Sequence, residues 1–169
     1  MKKIVIGFMS VLLVIGVACS SNKKRNPENP QVAATPATND LPAITLTKLD
    51  GNTFAAKSLH GHPVVFVLFQ ASCDHCQREA KQIKTHIDSF RSYQLYFVSA
   101  DTPAEASKFA DDYELSGESN VTFALTDVPG VLNTFGPVST PSVYIYNAAG
   151  KLTAKFNGET DIDLILKKL

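Results

Sequence analysis

Val64 to Phe69 (VVFVLF) constrains this chain more than any other feature. A half-solvated strand alternates apolar and polar residues; an unbroken run of β-branched and aromatic side chains suits a strand covered on both faces. Such a strand lies near the middle of a sheet, with helices as its covering layers. His62-Pro63 breaks the chain before it, and Cys73 and Cys76 follow it. From Cys76 to Phe90, the residues Ala80, Ile83, Ile87 and Phe90 recur at helical spacing among Lys, Arg and Gln, which predicts a helix. Two of the three cysteines therefore fall at a strand-to-helix junction.

The rest of the foldable region, residues 41–169, supplies the other layers. AITLTKL alternates apolar and polar residues, Asp50-Gly51 signals a turn, and TFAAKSL follows, which predicts an introductory strand or hairpin. LYFVSA reads as a strand, Pro103 to Tyr113 as a helix opened by Thr102-Pro103, and VTFALT as a short strand. Val128 to Phe135 reads as a short helix. PSVYIYN and KLTAKFN form an antiparallel pair turned at Ala149-Gly150, and Asp161 to Leu169 closes as an amphipathic helix. This order predicts a three-layer α/β domain with a mixed central sheet. A hydrophobic content of 44% with 19% charged residues suits one globular core.

The N-terminal residues differ in kind. Lys2 and Lys3 precede an apolar run from Ile4 to Ala18, and small residues lead into Cys19. Residues 1–18 have the layout of a secretory signal and are short for a membrane span, which takes about 18 to 20 residues. With Cys19 at the cleavage point, the segment is similar to a bacterial lipoprotein signal, although Gly16 departs from that family's large aliphatic residue. The resemblance implies lipidation of Cys19 and tethering outside the cytoplasm. Residues 19–40 are polar and proline-rich and read as a flexible spacer, reaching about 70 Å at full stretch. Removing residues 1–18 takes away Lys2 and Lys3 but no acid, leaving 14 basic against 16 acidic side chains. No basic stripe points to nucleic acid.

The strand, the Cys-x-x-Cys at a helix start and Thr140-Pro141 before a later strand resemble the thioredoxin fold. With the introductory hairpin and the N-terminal tether, residues 41–169 resemble the TlpA/ResA group of membrane-anchored thiol-disulfide oxidoreductases more specifically. At a helix start, free backbone N–H groups and the macrodipole would stabilise a Cys73 thiolate, and Cys76, one turn on, would attack a mixed disulfide formed there. His75, if protonated, would favour the Cys73 thiolate; Asp74 would oppose it. The alternative for His75 is a solvent-exposed turn residue. Glu79 matches an acidic residue of the TlpA/ResA group and lies one turn from Cys76; it either assists proton transfer or is a solvated first-turn carboxylate. The resemblance further implies a cis Pro141 opposite the cysteines, with the Thr140 backbone offered to an extended substrate; Gly136-Pro137 is the competing turn.

The expected function is disulfide reduction in envelope proteins, apocytochrome c among them, driven by a membrane electron donor. That direction comes from the resemblance. A monomer is expected, with no cofactor or metal beyond the redox-active Cys73–Cys76 pair. There is no tryptophan, so Ser72 replaces the aromatic residue often found before the first cysteine, and Val67 stands where many thioredoxins bury an acid. Three alternatives stay open. A copper-binding or metallochaperone protein of the same fold could recruit His60, His62 and His75. A peroxiredoxin-type peroxidase would need Thr or Ser where Gln70 stands. A non-enzymatic lipoprotein binding module is the last.

Overall fold

A computed structural model describes residues 40–169. The predicted signal, Cys19 and the spacer up to residue 39 lie outside the described residues. The domain opens with β1 (Thr45–Lys48) and β2 (Thr53–Ala55), an antiparallel hairpin. Asp50 Oδ1 accepts from Asn52 N at 2.9 Å across its turn, and Gly51 takes the positive φ of 87° that the turn requires. A 3-10 turn, Ala56–Ser58, replaces the second half of the expected strand.

The apolar run becomes β3 (Val64–Leu68), every residue of it buried. It is followed by α1 (Asp74–Thr85), β4 (Gln94–Ser99), α2 (Pro103–Asp112), β5 (Val121–Leu125), α3 (Val128–Phe135), β6 (Ser142–Tyr146), β7 (Leu152–Asn157) and α4 (Ile162–Leu166). The seven strands form one mixed sheet in the order β2-β1-β5-β4-β3-β6-β7. β3 runs parallel to β4 and antiparallel to β6, which gives the central position its composition predicts.

Alternation along β3 divides the core. Val65 and Val67 face a cluster that includes Ile83 of α1, Phe109 of α2 and Ile165 of α4. Val64, Phe66 and Leu68 face the opposite layer, with Leu46 of β1, Phe135 of α3 and Tyr144 of β6. Phe66 meets Tyr146 edge-on with ring centroids 5.8 Å apart. Each such side chain contributes about 1.5 to 3 kcal/mol through burial, so a polar residue on either face of β3 would break one layer. Here lies the fold: a thioredoxin-type sheet flanked by four helices, with an N-terminal hairpin extension.

Two helices are shorter than their periodicity implies. α1 stops at Thr85, because His86 N shares the carbonyls of Gln82 and Ile83 and the chain tightens into a 3-10 turn, Ile87–Phe90. Phe90 still reaches the core. The last helix spans five residues, starting after Asp161, whose side chain accepts from Asp163 N.

Candidate functional site

The turn after β3 aims the cysteines. Ala71 is held at both ends of its backbone: its N–H donates to Asp101 Oδ2 at 2.7 Å and its carbonyl accepts from Gln77 Nε2 at 3.1 Å. Asp101 itself is steadied by Ser99 Oγ at 2.7 Å. Cys73 then occupies the N-cap of α1 with extended backbone, and its Sγ accepts from Cys76 N at 3.4 Å. A sulfur takes the place of the usual capping oxygen.

Both cysteines are free thiols, and their environments differ sharply. Burial opposes ionisation of Cys73, but hydrogen bonds from the Cys76 side chain, the Cys76 and His75 N–H groups and the Thr140 side chain together outweigh it and hold the thiol below its ordinary value. Cys76 is buried, and desolvation, aided by its hydrogen bond to Cys73, pushes its thiol up to about 12. One sulfur is partly exposed and held below its ordinary value; the other is inside and held protonated.

Thr140–Pro141 is a cis peptide, and the Cys73 thiol donates to Thr140 O at 3.6 Å across 67 residues of sequence. The competing Gly136 instead ends α3, with φ 77°. Beside Thr140 lies an apolar cavity of about 280 Å³, bordered by Leu68, Gln70, Val98, Val131, Leu132 and Val138. Val128 and Leu132 of α3 are exposed at this side of the domain.

Glu79 is 1% exposed, which rules out the solvated first-turn carboxylate. Its Oε2 accepts from Thr160 N at 3.1 Å, and its buried Oε1 has no hydrogen-bond partner among the described residues. Burial pushes its carboxyl up to about 7, opposed by the Thr160 N–H and assisted by the Glu159 carboxylate. Cys76 and Glu79 are both buried on α1, one turn apart. His75 takes the exposed alternative at its side chain. Its backbone N–H faces Cys73, whereas its exposed ring turns to Glu159, with Nδ1 2.5 Å from Oε2. Val67 is buried, so no carboxylate occupies that part of β3.

The metal reading that recruits His60 and His62 fails on geometry. Both precede β3 and the cysteines follow it, so the length of a five-residue strand, about 17 Å, separates the two groups. His60 packs against Gly150 instead. Among the described residues no group of three or more His, Cys, Asp or Glu side chains is placed to hold a metal ion.

Sequence reasoning missed Asp101, Glu159 and Thr160. Glu159 and Thr160 follow a strand and a glycine and look like an ordinary turn; nothing local ties them to residues about 80 positions earlier. Asp101 before Thr102-Pro103 likewise reads as part of a helix start.

The AhpC/TSA family model matches residues 37–155, most of the chain. The chain belongs to the AhpC/TSA family. Its domain is thioredoxin-like and of the oxidoreductase type. No curated protein sequence matches it. Among solved structures it is similar to a secreted Mycobacterium tuberculosis disulfide oxidoreductase homologous to Escherichia coli DsbE, with TM-score 0.64 and 18% identity over 75% of this chain and 93% of that one. The thioredoxin domain of a Bacteroides vulgatus thiol-disulfide oxidoreductase gives TM-score 0.64 and 22% identity over 79% of this chain and 96% of that one. Arabidopsis thaliana ScoI, solved with copper bound, gives TM-score 0.61 and 13% identity over 78% and 98%. At these identities the likeness is one of fold.

Proposed function

We propose that the protein is an extracytoplasmic thiol-disulfide oxidoreductase that reduces disulfides in envelope proteins, anchored to a membrane through lipidated Cys19. The asymmetry of the two thiols carries this reading: the half-buried Cys73 is stabilised as a thiolate and Cys76 is buried and protonated beside it. In the reducing direction, the Cys73 thiolate attacks one sulfur of a substrate disulfide. A mixed disulfide forms, and the other substrate sulfur leaves as a thiolate that takes up a proton. Cys76 then loses its proton and attacks Cys73 Sγ, releasing the second substrate thiolate. Two electrons have passed to the substrate, and the Cys73–Cys76 disulfide is reduced again by a membrane dithiol donor.

Buried Glu79 is the group we assign to accept the Cys76 proton, because its carboxyl titrates near neutrality. Thr140 O, the Cys73 partner in the reduced state, lies where a bound chain would meet the sulfur, and the adjacent apolar cavity suits a side chain of that chain. Apocytochrome c as a substrate and the reducing direction rest on the TlpA/ResA resemblance; the extracytoplasmic setting is supported by the signal-like N-terminus and by the secreted relative of similar fold. For peroxidase chemistry, Gln70 offers no hydroxyl three residues before Cys73.

Insulin reduction in the presence of dithiothreitol tests the activity. Cys73→Ser is expected to abolish it. Cys76→Ser is expected to attack and remain trapped as a mixed disulfide. Alkylation that labels Cys76 faster than Cys73 would reverse the assignment, and a wild-type protein without exchange would remove it.

A further inference from the structure

The loop between β7 and α4 joins three parts of the site that are remote in sequence. Gly158 N donates to Pro141 O at 2.8 Å, next to the carbonyl that receives the Cys73 thiol. Thr160 N donates to Glu79 Oε2 at 3.1 Å. Between them, Glu159 takes both Arg78 and His75 of α1. Arg78 Nε reaches Oε1 at 2.8 Å and Nη2 reaches Oε2 at 2.6 Å, a two-pronged pairing, and His75 Nδ1 lies 2.5 Å from Oε2.

This arrangement matters for Cys73 because of what else surrounds the sulfur. The His75 and Cys76 N–H groups and the Cys76 thiol of α1 face it, with Thr140 from the opposite loop. Arg78, five residues on, reaches back to His75 Nδ1 with Nη2 at 2.7 Å, where negative charge on Asp74 and Cys73 favours its cation, and the β7–α4 loop brings Glu159 onto it. Arg78 is the one permanent cation between Asp74 and Ala80. A Cys73 thiolate and the Glu159 carboxylate therefore compete for the same positive charge. A cation left unpaired here would favour the thiolate, stabilise the dithiol and make the pair more oxidising.

We infer that Glu159 is a positioning residue for thiol exchange: by clamping Arg78 it withholds positive charge from Cys73 and keeps the Cys73–Cys76 pair reducing. The inference rests on the oxidoreductase reading. Glu159 is itself held well below the ordinary carboxylate range, first by the Arg78 hydrogen bonds and then by His75, so the clamp persists through the working range of a thiol enzyme.

The test is a charge cycle in the full chain, comparing wild type, Glu159→Gln, Arg78→Gln and the double variant. Cys73 alkylation by iodoacetamide is followed against pH by peptide mass spectrometry, and the disulfide is equilibrated with glutathione. Glu159→Gln is expected to move the Cys73 midpoint down by about half a unit to one unit, the low end of nearby-charge effects because the groups are partly solvated. Below the midpoint that is a roughly three- to tenfold larger thiolate fraction, which falling nucleophilicity trims to about a two- to fourfold faster reaction, with less disulfide at a fixed glutathione ratio. Arg78→Gln is expected to move the midpoint up, and the double variant to return it towards wild type. An unchanged midpoint and glutathione equilibrium in Glu159→Gln, whatever its stability, would overturn the inference and leave Glu159 a loop anchor. If Glu159→Gln does not fold, an unchanged midpoint in Arg78→Gln overturns it equally. A wild-type pair that forms no disulfide with glutathione overturns the oxidoreductase reading itself, and the inference with it.

Discussion

Three residues of one helix start from ordinary chemistry and end in different states because of depth. Cys73 caps α1 at its partly exposed end, Cys76 is inside, and Glu79, a turn further, is buried with a single backbone donor. For Glu79 the pH consequence has a definite sign. Its folded value, about 7, lies above the ordinary carboxylate value of about 4.3, so the folded state holds the proton more tightly than the unfolded chain. Stability is full below the unfolded value and falls as pH rises to about 7, by on the order of 3 kcal/mol. Glu79→Gln keeps an acceptor for Thr160 N but cannot ionise. Its urea midpoint should therefore match wild type near pH 4, exceed it at pH 8, and show no comparable slope between. Exchange should slow at the Cys76 step, with mixed disulfide accumulating while Cys73 alkylation is unaffected. A wild-type stability curve that is flat between pH 4.5 and 7 would contradict the buried carboxylate.

Elements explain what could be read from the chain and what could not. β3 is legible because six apolar residues in a row admit few positions in a fold; α3 is less so, and its bounds come from the structure, where the Asp127 side chain accepts from Gly130 N and Gly136 ends the helix. The end of α1 is not legible, since Ile87 and Phe90 continue the apolar period although the backbone has already tightened at His86. In the site, Cys73 and Cys76 announce themselves by spacing and Pro141 by resemblance. Asp101, Glu159 and Thr160 act through contacts with residues distant in sequence, and periodicity carries no record of those. Asp101 illustrates the point at the level of a connection: placed between β4 and α2, it fixes the turn after β3 through Ala71 N and is braced by Ser99 Oγ. Asp101→Ala would leave both donors without this partner. A loss of about 1 to 3 kcal/mol is expected in urea unfolding, together with slower attack by Cys73 on a model disulfide, because the turn that aims it is loosened. Stability within a few tenths of wild type would mean that water replaces the carboxylate without cost.

At the scale of the whole molecule, the folded domain and the N-terminal segment pose separate physical problems. The sheet, its two apolar layers and the thiol pair are all built from residues 40–169, and among the described residues no helix is long and apolar enough to cross a membrane. Membrane attachment is proposed to depend on Cys19 and the acyl chains it would carry. One acyl chain gives marginal, reversible binding, whereas two or three hold firmly. Wild-type protein from a bacterial host should therefore begin at Cys19 after processing, carry an acyl mass increment on that residue and partition into the detergent phase. Cys19→Ser removes the only acylation point in this segment and should shift the protein into the aqueous phase. Its insulin reduction in solution should stay at the wild-type rate, since the sheet and the thiol pair are built from residues 40–169. Full detergent partitioning of Cys19→Ser, with residues 1–18 still attached, would instead identify the apolar Ile4–Ala18 run as an uncleaved anchor. Membrane tethering would survive that result and lipidation would not, whereas aqueous partitioning of the wild type would remove both.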